Sequence, residues 1–533
     1  MPAAQTIEVG PPHSKEAVWA EQDAWAEEAP TSLQVRQHVE AAFGELLDLT
    51  HHSAGRDEYE AFERQVVTAL FRLGRLLIAL FLCLGHERLE QSGLCPPQPG
   101  EERKAPKARL LGTFFGKVRY WRTYLYRSEG GGGRFPLDEK LGLLSDGFSL
   151  GLLGRAVQLA TKMSYEAAST VLWSFLSWSM APSSIEQAVL GLGRYTGAWF
   201  EQAPPPENDG EVLIIQADSK ATPTATEQEL DKRRGKRAPN PYPSSQRHRG
   251  RARREERGPK TRRKKGDKSK NGKMATIVVM YTLGRGAGPD GKPALLGPHN
   301  RRQYASYAPK RHALAIARRE ADKRGFTRGS GKLVQVITDG DEQLARGVAE
   351  LFPEAKHTLD VAHALEYLWD SAACLFPEGS EELLRWVQRH KKHLYAGEVY
   401  ETVIEGDERI ERVSSASKRQ RLAKNLEYLA KRADMMNYAE LREQDLEIGS
   451  GIVEGAVRYV ISQRFDEGGM RWIKERAEAL LQLRCIELNG DWDRFIAFVH
   501  AQLRAESAPS RRPIRLLQDG PQPLPTFGLS CQN

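Results

Sequence analysis

EVLIIQAD, residues 211–218, is the stretch on which the reading of this chain turns. Val212 to Ile215 is an unbroken apolar run, too short for a helix. Such runs occur where a strand is buried on both faces. The strand is expected to end on Asp218. A second stretch of the same kind, Leu333-Val-Gln-Val-Ile-Thr, ends on Asp339. In open α/β sheets ligands bind at the carboxyl ends of strands. Two carboxylates placed there suit a hard divalent cation, which takes oxygen ligands and keeps several waters. Two such ions about 3.5–4 Å apart would serve phosphodiester chemistry. Each aspartate also has a plainer reading. Asp-Gly is a common turn, and an aspartate after a strand often caps the next helix. Asp341 competes with Asp339 and is the better candidate for a cap.

A third carboxylate stands in Ile448-Gly-Ser-Gly-Ile-Val-Glu454-Gly-Ala. Gly449 and Gly451 permit a tight approach to a helix expected over about 452–464. Val453, Val457, Val460 and Ile461 form its buried stripe, with Glu454 beside it in the first turn. There a glutamate also complements the helix dipole and can pair with Arg458 at i+4.

Outward from these stretches the periodicity predicts strands at Met274–Leu283 and, more weakly, Gln303–Tyr307. Helices are expected at His312–Lys323 and Glu342–Leu351, and helical patterns dominate 361–446. Strands, helix, strand and helix, with a helical insertion before the last helix, make an α/β core over about 207–500. Upstream, 1–30 carries no core pattern, 31–110 reads as helical, 111–144 as a small β-containing element and 145–203 as short helices. A Pro-rich tail follows from 505 to 533. At 533 residues the chain has room for roughly two to four domains of about 150 residues.

The net charge of +8 is unevenly spread: residues 232–273 hold 19 Lys/Arg against three acids, so the rest of the chain is acidic. Arg233, Arg234, Arg249, Arg251, Arg253, Arg254, Arg262, Arg263, Lys264 and Lys265 lie in this block. It has little to bury and is expected to be a long loop beside the core, binding phosphates through its cations. The five cysteines form no C-x-x-C pair, so a reducing compartment is expected, with neither a disulfide framework nor a structural zinc. The most apolar run, Leu76 to Leu84, is nine residues. A membrane span needs about 20, and a buried helix is the expectation.

Taken together, these segments resemble those of bacterial insertion-sequence DDE transposases, particularly the ISKra type. IGSGIVEGAVRYVISQRFDEGGMRW (448–472) is similar to the region around their catalytic glutamate. ITDGDEQL (337–344) resembles the segment of the second aspartate, and LIIQADSKATP (213–223) that of the first. FPEAKHTLDVAHALEYLW (352–369) resembles the stretch that follows, where Asp360-x-x-His363 looks like a signature shared with Mutator-type transposases.

The resemblance covers about residues 110–500. It implies an RNase H-like catalytic core preceded by a mainly helical DNA-binding region. It implies Asp218, Asp339 and Glu454 as a catalytic, metal-binding triad for Mg2+ or Mn2+. His363 would be an accessory residue, though a hydrogen-bonded helix histidine fits equally. The implied partners are the element's terminal inverted repeats and target DNA, with a homo-oligomer on DNA, in the bacterial cytoplasm at the nucleoid.

Relatives often carry cysteine pairs flanking 113–138, and this chain has none there. Residues 163–195 resemble the helix-turn-helix that precedes the core, with Ser183 and Ser184 as cap types for the second helix. Simple packing would give the same pattern, and Arg194 is the cation close to that helix. The rival readings are a DNA-binding protein without chemistry and an RNase H-like nuclease.

Overall fold

The structure, a computed structural model, describes residues 25, 27–51, 56–93, 96–127, 132–144, 146–176, 178–227, 272–467 and 470–506. The described residues divide into two compact units. One takes the chain up to Ala160, then 164–188, then from Ile496; the other takes 161–163 and 189–495.

In the first unit, α1 (Ser32–Asp48) starts on a capping box between Thr31 and Gln34 and packs on the long α2 (Arg56–Ser92). A hairpin follows, β1 (Glu101–Thr113) and β2 (Gly116–Arg127), with β3 (Gly132–Arg134) added beside β2. Leu76, Ala79 and Leu82 of α2 bury against Leu111, Val118 and Tyr120 of the hairpin. The buried Asp138 of α3 (Pro136–Leu141) accepts hydrogen bonds from Arg109, Tyr120 and Arg122.

The hairpin starts earlier than the sequence suggests, because β1 begins at residue 101, inside the region expected to be helical. After Glu101, the rest of its first half, Glu-Arg-Lys-Ala-Pro-Lys, is exposed on both faces and breaks register between Lys104 and Lys107, around Pro106. No apolar alternation marks such an edge strand. The expectation of a buried helix at Leu76–Leu84 is half met: the opposite face of α2 is exposed. By length and composition α2 also qualifies to cross a membrane.

Helices α4 (Leu150–Lys162) and α5 (Tyr165–Leu176) come next, and the Ser164 hydroxyl accepts from the Ala167 N–H at the start of α5. Then come α6 (Pro182–Gly193) and α7 (Thr196–Gln202). Ala181 supplies the first carbonyl of α6, so Ser183 and Ser184 sit inside its first turn and do not cap it. The division between the units falls between Ala188 and Val189, within α6. This lies upstream of the start of the α/β core expected at about 207.

The second unit is built on a five-stranded sheet of β4 (Val212–Pro223), β5 (Gly272–Ala287), β6 (Pro293–Ser306), β7 (Leu333–Thr338) and β8 (Lys356–Leu359). The strand order is β6-β5-β4-β7-β8. Central β4 is antiparallel to β5 and parallel to β7; β6 is antiparallel to β5, and β8 parallel to β7. β8 was not expected: Lys-His-Thr-Leu is short and half polar.

Successive residues of a strand face opposite sides. Leu213, Ile215, Ala217, Val334 and Val336 face one core, closed by α8 (Lys310–Lys323) and α9 (Glu342–Leu351) through Ala313, Leu314, Ala317, Leu344 and Val348. Beyond β8 the chain is helical: α10 (Val361–Leu375), α11 (Glu381–Ala396), α12 (Val399–Ile410), α13 (Ala416–Ala430) and α14 (Tyr438–Glu443). Next, α15 (Gly451–Ala456) runs on as a π-helix over Val457–Asp466 and packs on β4. That departs from the plain helix expected at 452–464. Last are α16 (Lys474–Leu488) and α17 (Trp492–Glu506).

Candidate active site

Asp218 and Asp339 meet at the same edge of the sheet. The parallel pairing of β4 with β7 ends at Ala217 opposite Thr338, and each aspartate is the next residue. Both therefore follow Gln216 and Ile337 onto the face away from α8 and α9. Asp218 does not end its strand, because β4 stays paired with β5 as far as Pro223. The sequence shows only the apolar half of that strand; the polar half exists because β5 outlasts β7.

Asp339 and Asp341 separate cleanly. Asp341 caps α9, accepting from the N–H groups of Gln343 (2.9 Å) and Leu344 (3.1 Å), and pairs with Lys310 at 2.7 Å. Its carboxyl is drawn below the usual range because these contacts outweigh its partial burial. Among the described residues the Asp339 carboxylate accepts only the Asp341 N–H, at 2.9 Å. Its turn is gripped from the helical segment: the Tyr428 hydroxyl donates to the Asp339 carbonyl (2.7 Å), and the Arg432 guanidinium to the Gly340 carbonyl (2.6 and 2.8 Å). Tyr428 stacks flat on Tyr367 of α10, with centroids 3.6 Å apart. Gly340 sits at φ 77°, and a Cβ there would strike the Tyr428 hydroxyl and lie 2.7 Å from Arg432 Nε, so the turn requires glycine.

Glu454 arrives from the far end of the helical segment, and the sheet itself fixes its approach. Gln335 is fully buried in β7; its amide donates to the Glu447 carbonyl (2.6 Å) and accepts from the Glu447 N–H (3.2 Å). Gln216, equally buried in β4, donates to the Gly449 carbonyl (3.3 Å) and accepts from the Val453 N–H (2.9 Å). Two glutamines thus clip 447–453 onto the face that carries the aspartates. The Glu454 carboxylate accepts from Ser450 Oγ at 3.1 Å; the bond goes back to Ser450 and not forward to Arg458.

Asp360 ties the remaining groups together. It caps α10, and its Oδ2 accepts from His363 Nδ1 at 2.7 Å while Oδ1 accepts from the Ser450 N–H at 3.0 Å. The Asp360 hydrogen bond, with the charges of Asp360 and Asp339, raises His363 to about 9 against the pull of burial. Asp360 itself stays below the normal carboxylate range although burial opposes it. A protonated imidazole therefore stands among the carboxylates at neutral pH.

Asp218 senses all of them. Burial raises its carboxyl above the ordinary value, and the charges of Asp339 and Glu454 raise it further, against the Ser219 N–H and His363. Mutual repulsion of this kind is what a bound cation would relieve. The convergence is incomplete: among the described residues no three His, Cys, Asp or Glu side chains stand close enough together to hold a metal ion.

The structure thus brings Asp218, Asp339, His363 and Glu454 into one electrostatic neighbourhood. The ten cations expected to contact nucleic acid, Arg233 to Lys265, lie outside the described residues. Gln216, Gln335, Ser450 and Tyr428 were not singled out from the sequence. The two glutamines did carry a signal: each is an amide in the middle of an apolar strand, and a buried amide needs partners. Compared with known proteins, the chain matches no family model and no curated protein.

Proposed function

We propose that the chain is a DDE-type DNA transposase with an RNase H-like catalytic core. The observation that carries this reading is that Asp218 and Asp339 each follow the last residue of the β4–β7 pairing, with Glu454 delivered to the same face by a segment hydrogen-bonded to both strands. The sheet supports the core assignment: in chain order its strands lie third, second, first, fourth, fifth, with the second antiparallel to the first.

The reaction is phosphodiester hydrolysis followed by transesterification. Water attacks phosphorus at an element end, a P–O bond forms, and the bond to the 3′ oxygen breaks to leave a 3′-OH. That hydroxyl then attacks a phosphodiester of target DNA, forming one P–O bond and breaking another. Asp218, Asp339 and Glu454 would hold Mg2+ or Mn2+, which when bound would supply charge to activate the attacking oxygen and stabilise the leaving one. His363, held protonated by Asp360, supplies positive charge beside the carboxylates. The basic block 232–273 would hold DNA through phosphates, which are the same at every sequence.

A DNA-binding protein without chemistry is the second reading, and the incomplete convergence of the carboxylates favours it. One experiment separates the two. DNA carrying the gene's own flanks is incubated with the full chain and Mg2+ or Mn2+, and cleavage and strand transfer are followed. The transposase reading expects both activities. It expects Asp218→Ala, Asp339→Ala and Glu454→Ala each to lower them on the order of 10^3-fold or more, the scale for loss of one transition-state contact. Binding to the ends should persist. Binding without cleavage in the unaltered chain establishes the second reading.

A further inference from the structure

Helix α2 is longer and more apolar than its packing requires. One side buries Leu76, Ala79, Leu82 and Leu89. On another side Tyr59 is 60 % exposed, Leu70 46 %, Leu77 49 % and Phe81 61 %, with Val67 beside them at 41 %. Glu63, Leu70, Leu77 and Leu84 are seven residues apart, flanked by Tyr59 and Val66 on one side and Phe81 and Arg88 on the other. On a helix these residues share one face, about 44 Å long from Tyr59 to Arg88, crossed near its middle by Phe115, which covers the buried Gly74. A stripe of period 3.5 is what a second helix packs against.

We propose that this stripe pairs with the same stripe of a second copy of the chain, antiparallel, about a twofold axis midway between Arg75 and Leu76. The ends of the stripe decide the occupant. Glu63 and Arg88 are both exposed and stand equally far from that axis, so each glutamate meets the arginine of the other copy, twice per dimer. The same operation sets Leu70 against Phe81 and Val67 against Leu84. Leu77 meets Phe115, about a third exposed, which lies across the buried Gly74. A parallel pair would instead set Glu63 on Glu63 and Arg88 on Arg88.

The shared footprint, Glu63 to Arg88, is about 38 Å by one helix width of about 10 Å. That is on the order of 750 Å2 over both copies, in the range of weak, transient interfaces. The pairing is therefore concentration-dependent, in the micromolar range. It is independent of the transposase reading.

The test is sedimentation of the full chain from about 1 to 100 µM, with circular dichroism as the control on folding. The unaltered chain should move from monomer to dimer. The double variant L77E/F81E should stay monomeric at unchanged helicity, since both side chains lie on the outer face. E63R and R88E should each weaken dimerisation about tenfold, and E63R/R88E should restore it. A monomer throughout the range overturns the proposal, and so does a dimer that L77E/F81E leaves intact, or a double swap no better than either single. A chain that dimerises only after residues 1–24 are removed would show that its own N-terminal segment occupies the stripe. A monomer that floats with phosphatidylcholine vesicles would assign the stripe to a lipid surface. Either result overturns it too.

Discussion

The two faces of the five-stranded sheet are made by alternate residues of the same strands, one step apart. Leu213, Ile215 and Ala217 turn one way into an apolar layer closed by α8 and α9. Ile214, Gln216 and Asp218 turn the other way, beside Tyr281, Gln335 and Thr358, where amides and hydroxyls hydrogen-bond through the core. The first face gains from area removed from water and is indifferent to which apolar side chain supplies it. The second pays the desolvation of its amides back by bonding one peptide segment, Glu447–Val453, at fixed points. Burial by itself gives a stable sheet; the polar face decides which part of a distant helical segment rests on it, and so where Glu454 stands. The apolar face should therefore carry stability and the polar face geometry.

Cutting into the apolar face tests the first half of that division and should have the largest effect on folding. Leu314 is fully buried between the sheet and α9, where it fills the space left by Gly347. Leu314→Ala should cost about 2–5 kcal/mol of unfolding free energy, the scale for a large-to-small core change. Cleavage per folded molecule should be unchanged. Denaturant unfolding, with activity normalised to the folded fraction, reads both. A Leu314→Ala protein that folds as well as the parent but cleaves poorly would remove the distinction between the faces.

Legibility follows the same line. The apolar runs at Val212 and Leu333 locate β4 and β7, and the 3.6-residue pattern over Glu342–Leu351 marks the whole of α9. Those elements owe their existence to burial, which leaves a period in the sequence. The exposed first half of β1, the polar half of β4 and the four-residue β8 owe theirs to pairing with a neighbour, which leaves none. In the site, the carboxylates stand out because each ends an apolar run or opens a glycine-rich helix start. Their props do not: Ser450, Tyr428 and the two glutamines acquire meaning only when segments more than 80 residues apart come together. The π-helix after Ala456 departs from the apolar stripe of its own sequence, and we have no physical account of its length.

Loosening the polar face is the middle case. Gln335→Leu keeps most of the side-chain volume but leaves the half-buried Glu447 carbonyl and N–H without their partners, and Gln216→Leu does the same to the half-buried Gly449 carbonyl and the buried Val453 N–H. Each should cost about 1–3 kcal/mol in stability, the penalty for buried groups left unsatisfied. Each should also lower cleavage about 10–100-fold, the scale for groups that orient metal ligands. The loss should appear as a higher Mg2+ or Mn2+ requirement, because the clip sets the position of Glu454. A metal titration of cleavage at fixed DNA checks this. Stability lost with an unchanged metal requirement would make the glutamines ordinary core residues.

The smallest effect belongs to a residue two positions from the site. Asp341 and Asp339 are chemically identical and lie on one turn, yet the structure gives them different tasks. Asp341 spends its carboxylate on two backbone N–H groups of α9 and on Lys310. Removing a cap of this kind costs typically about 1 kcal/mol, and the Lys310 pair, whose aspartate is a third exposed, adds little. Asp341→Ala should therefore shift the unfolding midpoint slightly and leave cleavage intact. Asp341→Asn should be milder still, since asparagine caps nearly as well. Asp339 accepts a single N–H, so Asp339→Ala should barely move the midpoint while abolishing cleavage. Running the three variants side by side, by denaturant unfolding and by cleavage of end DNA, turns one turn of chain into a test of the whole comparison. If Asp341→Ala silences cleavage at near-native stability while Asp339→Ala does not, the second ligand is the residue that the fold uses as a cap. The separation of scaffold from site would then fail where the two lie closest.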